Sequence, residues 1–271
     1  MSKDTSLFGN EKTMDRYNSS KIIPYLKRCN AAKFPDEYLD KIIKQIPENG
    51  KFLDAGCGVG QFLRQLILRS KEVSRDDVEF YAFDFSHVML SGIGDEKGAL
   101  HNLNGLGVKV WQADLKDLDS ILKGGSKKFD YVISRDVVFF FNNEEKKVVL
   151  NNLKEICADD GVLCLELREK RFDKDQSKGF NDGSEFDWRS LLQDSGFKVK
   201  KSIIGGEISY GTPGQDNLNR FYKRLIIASS PETKLKAENP SAEPSLADDF
   251  SRKRHEVLQN KAKNEKGEIV L

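Results

Sequence analysis

No stretch of the 271 residues is apolar for long enough to cross a bilayer, and the opening Met1-Ser-Lys-Asp-Thr5 lacks the apolar core of a signal peptide. Both absences lead to the expectation of a soluble cytoplasmic chain with no membrane partner. Charge of one sign is lacking too: 44 Lys and Arg stand against 43 Asp and Glu, a net charge of +1. Such a balance gives no field for nucleic acid or an anionic lipid surface, so no nucleic-acid partner is expected. Only four cysteines occur (Cys29, Cys57, Cys157 and Cys164), none spaced as C-x-x-C. Lying among apolar neighbours, they read as buried free thiols of a reducing compartment. Proline is missing from residue 48 to residue 212, so no proline-rich loop can be built there.

What is present is organised around Lys51-Phe-Leu-Asp-Ala-Gly-Cys-Gly-Val-Gly-Gln-Phe-Leu63. It opens as a short apolar strand, passes an acid and three alternating glycines, and continues into a helix with Phe62, Leu63, Leu66 and Ile67 at helical spacing. A strand, a glycine turn and a helix make the first half of a βαβ unit, the place where open α/β sheets bind ligands. Two ligands compete for it. A dinucleotide fingerprint is G-x-G-x-x-G with its pyrophosphate on the helix N-terminus. Here the glycines are Gly56, Gly58 and Gly60, and Gln61 takes the third fingerprint position. Asp54, two residues before the first glycine, is an acid that suits a cation better than a phosphate.

Asp54-Ala-Gly-Cys-Gly-Val-Gly60 resembles the first motif of class I S-adenosylmethionine-dependent methyltransferases, whose cofactor carries a sulfonium and an ammonium and no phosphate. Val78-Glu-Phe-Tyr-Ala-Phe83 is a β-rich run ending at Asp84, and Asp84-Phe-Ser-His-Val-Met-Leu90 is similar to the second motif of that family. The resemblance implies that Asp84 accepts bonds from both ribose hydroxyls and that Phe85 and Met89 flank the adenine; Ser86 reads as an N-cap. Gly107–Ala113 reads as a third strand, followed by Asp114-Leu115, where the family meets the adenine amino group and ring. A plain N-cap is the competing reading of Asp114. The implied cofactor set is Asp54, Gly56, Cys57, Gly58, Gly60, Asp84, Phe85, Met89, Asp114, Leu115 and Ser134, with Tyr17 from an N-terminal cap near the methionine end.

Residues 35–229 carry the resemblance. They imply an α/β, Rossmann-like three-layer sandwich, with a seven-stranded, mostly parallel sheet and the last strand antiparallel. Pro35-Asp-Glu opens a helix with apolar positions Tyr38, Leu39, Ile42, Ile43 and Ile46. Lys128–Ser134 is a fourth strand and Asn143-Glu-Glu starts a helix. Val162–Leu167 is a nearly fully apolar fifth strand, and Asp159-Asp-Gly161 before it reads as a turn. Phe186–Gly196 is a short helix ended by glycine. Phe197–Ile204 and Arg220–Ala228 are the last two strands, joined by a long link from Gly205 to Asn219. Residues 1–34 form a helical cap segment. Residues 230–271, with Pro231, Pro240 and Pro244 in charged surroundings, are expected to be a linker and disordered tail that offers itself to a protein partner.

The acceptor end is less defined. Val138-Phe-Phe-Phe141 reads as a pocket wall or as core; the resemblance implies Phe172, Phe180 and Trp188 as lid residues, with a disordered surface loop as the competing reading. Asp173-Lys-Asp-Gln-Ser177 is not a calcium loop, because its sixth position is Lys178 and its twelfth Ser184; no metal is expected. Methyl transfer is an in-line displacement in which positioning does most of the work. A base is needed only for a protonated acceptor, and Asp136, Glu166 and Tyr210 are the possible ones. His87 should lie on the adenine side and His255 in the tail, and His101 is no better placed. The resulting expectation is a methyltransferase acting on an O or N of a small-molecule acceptor. A protein (carboxyl or amine) acceptor stays open, since Ser134–Phe141 is similar to the same region of chemotaxis-receptor methyltransferases. So does a non-catalytic methyltransferase-like binding module.

Overall fold

Side chains of the first strand alternate between two cores, and that alternation sets the layering. In β1 (Lys51–Ala55), Phe52 packs with one buried cluster while Leu53 and Ala55 pack with another on the opposite face. The computed structural model describes residues 22–126, 128–170, 185–210 and 219–229. Tyr17, Phe172, Phe180, the link 211–218 and the tail 230–271 therefore lie outside the described residues, as does the side chain of Tyr210.

The main sheet holds β1, β2 (Glu79–Asp84), β3 (Lys109–Gln112), β4 (Phe129–Arg135), β5 (Cys157–Lys170), β6 (Lys198–Tyr210) and β7 (Asn219–Ser229). Their spatial order is β3-β2-β1-β4-β5-β7-β6. The first five strands run parallel, and β7 lies antiparallel between β5 and β6, as expected. Order reverses at β1, which pairs with β2 on one side and β4 on the other. Ligands of open α/β sheets bind at such a reversal, beyond the strand C-termini.

Helices α1 (Ile23–Asn30), α2 (Asp36–Ile43) and α3 (Gln61–Glu72) precede β2. Leu39, Ile42 and Ile43 of α2 and Phe62, Leu63, Leu66 and Ile67 of α3 bury the sheet face that carries Phe52, Phe80, Tyr131 and Ile133. After β2 come α4 (His87–Ser91), a two-residue ladder of Gly92–Ile93 on Glu96–Lys97, α5 (Ala99–Asn102) and α6 (Leu118–Leu122). α7 (Asn143–Ile156) and α8 (Glu185–Asp194) cover the other face, with Leu153, Ile156, Trp188 and Leu192 against Leu53, Val132 and Leu163. α7 starts where the sequence places it because Asn142 and Glu145 form a reciprocal capping box, with bonds of 2.9 and 3.1 Å. A smaller cluster of Ile22, Leu26, Val59, Val88 and Met89 ties α1 and α4 to the glycine turn.

Four expectations need correction. β5 begins at Cys157 rather than Val162: pairing jumps from Phe129↔Cys157 to Tyr131↔Val162, so the Asp159-Asp-Gly161 turn is absorbed within the strand as a bulge. β6 continues to Tyr210, its register shifting between Ile204 and Glu207, so Gly205 and Gly206 bulge the strand instead of ending it. Trp188 is 1% exposed in the main core with the Lys146 ammonium 5.0 Å from its ring centroid, and is not a lid residue. Of the four free thiols, Cys157 and Cys164 are buried, but Cys29 and Cys57 are only half-buried.

Candidate functional site

The glycine turn is fastened to the second strand before it reaches its helix. The amides of Gly56 and Cys57 both donate to Phe83 O at 2.9 Å, and the Gly58 amide donates to Asp84 Oδ2 at 2.8 Å. Gly56 and Gly58 adopt φ values of 89° and 57°, conformations that side chains disfavour. A Cβ on Gly56 would stand 2.5 Å from Val137 Cγ2, whereas one on Gly58 would meet no atom within 4 Å. The first glycine is thus demanded by packing against the fourth strand's exit, and the second keeps open space beside the cleft.

That cleft lies above the tips of β1, β2, β3 and β4, with a cavity volume of about 130 Å³. Gly56, Gly58, Asp84, Phe85, Met89, Asp114, Leu115 and Asp136 line it, so eight of the residues singled out in the sequence meet around one hollow. Asp84 Oδ1 accepts from the Ser86 amide at 2.8 Å, and Ser86 Oγ caps α4 by accepting from Met89 at 3.2 Å. Burial raises the Asp84 carboxyl above its ordinary range, while the backbone amides of Ser86, Gly58 and Phe85 pull it back. Asp114 Oδ1 accepts from the Lys116 amide at 2.9 Å. It is no helix cap: Asp117 fills that place for α6, taking the amides of Asp119 and Ser120.

Other expected members stand elsewhere. Asp54 is 2% exposed and is not among the described residues lining the cleft, so two of the three expected strand-tip carboxylates share the hollow and the third lies behind it. It occupies the face of β1 that carries Phe52, which two-residue periodicity directs toward α2 and α3. Burial pushes its carboxyl up to about 7, opposed by the Arg135 guanidinium and reinforced by Asp84 and Glu166. Cys57 sits in the turn with its thiol raised by burial, Gly60 caps α3, and Ser134 is fully buried; none of these lines the cleft.

The candidate bases separate as well. Glu166 accepts from Arg135 Nε at 2.7 Å and from the Tyr38 hydroxyl at 3.3 Å, with 7% of its side chain exposed. A carboxylate engaged in that way behind the cleft is an ion-pair partner, which corrects its reading as a base. Asp136 does face the cleft, and its backbone is held at φ 55° with its amide donating to Glu166 O at 2.9 Å. Non-glycine residues rarely take that conformation, and those that do cluster at functional sites.

Sequence reasoning passed over Tyr25, Phe83, Lys116, Arg135 and Val137, which also line the hollow. Arg135 is the most consequential. Its guanidinium lies against the edge-to-face pair of Phe34 and Phe62, 4.5 and 4.2 Å from the ring centroids. Burial alone would press it toward neutrality; the charge and hydrogen bond of Glu166, with Tyr38 and Asp54, together outweigh that and keep it protonated. Its signal was a charged residue at a strand tip, a rule applied in the sequence only to acids. Of the aromatic run, Phe140 and Phe141 line the cleft and Phe141 is also core.

A methyltransferase-domain family profile matches residues 27–202. No curated protein matches the chain. Similar solved folds include the magnesium protoporphyrin IX methyltransferase (ChlM) of Synechocystis PCC 6803 with bound SAH, at a TM-score of 0.54 and 18% identity over 81% of this chain and 99% of that one. The same enzyme with bound SAM gives 0.52 and 19%, over 84% and 97%. A putative sarcosine dimethylglycine methyltransferase from Galdieria sulphuraria gives 0.50 and 14%, over 72% and 84%. At these identities the likeness is one of fold.

Proposed function

Because the chain belongs to the class I S-adenosylmethionine-dependent methyltransferases, we propose that its cleft carries the cofactor on the β1–β3 side and a small-molecule acceptor, methylated on O or N, on the β4 side. The observation that carries this reading is the shared hollow of Asp84 and Asp114, floored by Phe85, Met89 and Leu115 and bounded by the glycine turn. Those residue types suit the cofactor: acids for hydroxyl and amino donors, apolar side chains for a flat base, and open space beside Gly58. Asp84 and Asp114 would hold the ribose and adenine, with Phe85 and Met89 against the ring. Asp54 behind them would oppose positive charge at the other end.

Bound S-adenosylmethionine supplies an activated methyl group on a sulfonium. The chain's own contribution is positioning, which accounts for much of the acceleration when reacting atoms are held near ~3 Å. Past Arg135 and Asp136 the cleft is walled by Val137, Phe140 and Phe141, with Tyr25 of α1 also in the lining, which supports an acceptor with an apolar body. Of the candidate bases, Asp136 is the one on the cleft lining; it would take the proton of an acceptor that enters protonated. The named acceptor of ChlM and the printed name of the Galdieria protein support a small molecule. The test is mass spectrometry of a cell extract incubated with methyl-labelled cofactor and the protein. Label should appear in a small soluble product; label confined to the protein fraction would turn the reading to a protein acceptor.

A further inference from the structure

The glycine turn is held a second time, by the short helix α5 (Ala99–Asn102), which the cofactor reading does not use. A Cβ on Gly60 would stand 2.9 Å from Leu103 Cδ1 and 3.3 Å from Ala99 Cβ, at φ 74°. Glycine is thus what lets α5 seat against the turn. Seated there, Asn102 spends both hydrogens of its side-chain amide: Nδ2 donates to Val59 O and to Asn30 Oδ1, each at 2.8 Å. A carbonyl can only accept, so Val59 fixes which way the Asn102 amide points. Asn30, the last residue of α1, donates in turn to Lys97 O at 3.0 Å. The bonds therefore run from the turn through α5 to α1 and on to the Glu96–Lys97 strand.

Both ends of this link reach the cleft, although Asn102 is not among the described residues that line it. Val59 is 3% exposed among Ile22, Leu26, Val88 and Met89. Its neighbour Gly58 lines the hollow, as do Met89 and Tyr25 of α1. The apolar cluster draws α1 and the turn together without direction, whereas hydrogen bonds fix a distance and an angle. We propose that Asn102 is a positioning residue for the cofactor, acting through Val59 and Asn30 to set the spacing of Gly58 and Tyr25. The proposal rests on the reading of the cleft given above and adds to it a residue that touches no ligand. Loosening the link lets α1 shift from the turn, so a bound nucleoside leaves faster while its entry changes little.

The test is surface plasmon resonance of S-adenosylhomocysteine on the immobilised full chain, beside thermal melts. Asn102→Asp keeps the shape of the side chain and loses both donors, and Asn102→Ala loses the side chain itself. In each, the dissociation rate should rise by about fivefold or more, with the association rate within about twofold of wild type. Asn30→Ala should raise the dissociation rate by about threefold or more. The double variant N30A/N102A should exceed the worse single variant by no more than about twofold, because the two side chains form one link. An unchanged dissociation rate in both Asn102 variants, whatever their melting temperatures, overturns the proposal and leaves Asn102 a purely structural residue. So do effects of the two positions that multiply in the double variant. Should neither Asn102 variant fold, Asn30→Ala decides, and an unchanged rate there overturns the assignment. A wild type that does not bind S-adenosylhomocysteine would instead defeat the cofactor reading, a separate outcome.

Discussion

The Gly58 amide donates to Asp84 Oδ2 at 2.8 Å, so the tip of the second strand holds the glycine turn that follows the first. One carboxylate thereby stabilises the turn and faces the cleft. Asp84→Ala removes the acceptor for the buried amides of Gly58 and Ser86, at about 1–3 kcal/mol of stability. Cofactor affinity should fall by roughly 10–100-fold, the worth of hydrogen bonds to a charged group. Asp84→Asn keeps one acceptor oxygen and should recover part of the stability. Thermal melts and calorimetric titration with S-adenosylhomocysteine read the two effects separately; unchanged affinity in both variants would remove Asp84 from the site.

Asp54 gives stability a pH dependence of definite sign. Its carboxyl is raised by burial from 3.8 to about 7, so between those values the folded chain holds a proton that the unfolded chain has released. The stabilisation is complete below about pH 4 and is lost as pH rises through about 7. Asp54→Asn should flatten that decline and be more stable than wild type at pH 8, by roughly 1–3 kcal/mol. Urea unfolding across pH 4–8 checks it, and parallel curves for the two proteins would contradict it.

The two cleft glycines should fail differently. Gly56→Ala drives a methyl group to 2.5 Å from Val137 Cγ2 at φ 89° and should cost about 2–4 kcal/mol through strain and overpacking. Gly58→Ala meets no atom within 4 Å at φ 57° and should cost about 1 kcal/mol. Its methyl group takes space beside the ligand, however, and the cofactor Kd should rise tenfold or more. A Gly58→Ala protein that binds as the wild type does would place the cofactor away from the turn.

Trp188 offers a test of core against lid. Burying its ring under α7, with the Lys146 ammonium 5.0 Å from the centroid, predicts a loss of about 3–5 kcal/mol for Trp188→Ala. Trp188→Phe, which retains an aromatic ring, should bind S-adenosylhomocysteine within twofold of wild type. Selective loss of affinity in a stable Trp188→Phe protein would return the residue to the cleft.

The sheet and the strand-tip acids that line the cleft were legible in the sequence because they rest on local signals. Val78–Phe83 ends at Asp84 and Gly107–Ala113 at Asp114, and a strand that is apolar on both faces needs no partner to be recognised. Asn142 and Glu145 likewise meet within one turn. What stayed hidden depends on residues far apart in the chain. Arg135 has its guanidinium fixed by Phe34, Phe62 and Glu166, none within 30 positions of it. Asp54 looked like a ligand-facing acid by its distance from Gly56, but strand alternation turns it toward α2 and α3 instead. Gly205-Gly206 carries the composition of a loop, and only pairing with β7 keeps it in the sheet. Trp188 lies in the helix that the sequence does place at Phe186–Gly196, but its burial depends on α7, through residues such as Lys146 that stand more than 30 positions earlier.

β7 enters the sheet between two strands that precede it in the chain. Until Asn219–Ser229 has been synthesised, β6 has no neighbour to join, and the outer side of β5 lacks the nine pairings from Val162↔Ser229 to Lys170↔Phe221. A nascent or truncated polypeptide ending before Asn219 would thus present a long edge of unsatisfied amides and carbonyls, apolar from Val162 to Leu165, the template on which chains add to one another. The last strand acts as the molecule's seal against self-association, and its late arrival makes the closing step of folding the one most exposed to aggregation.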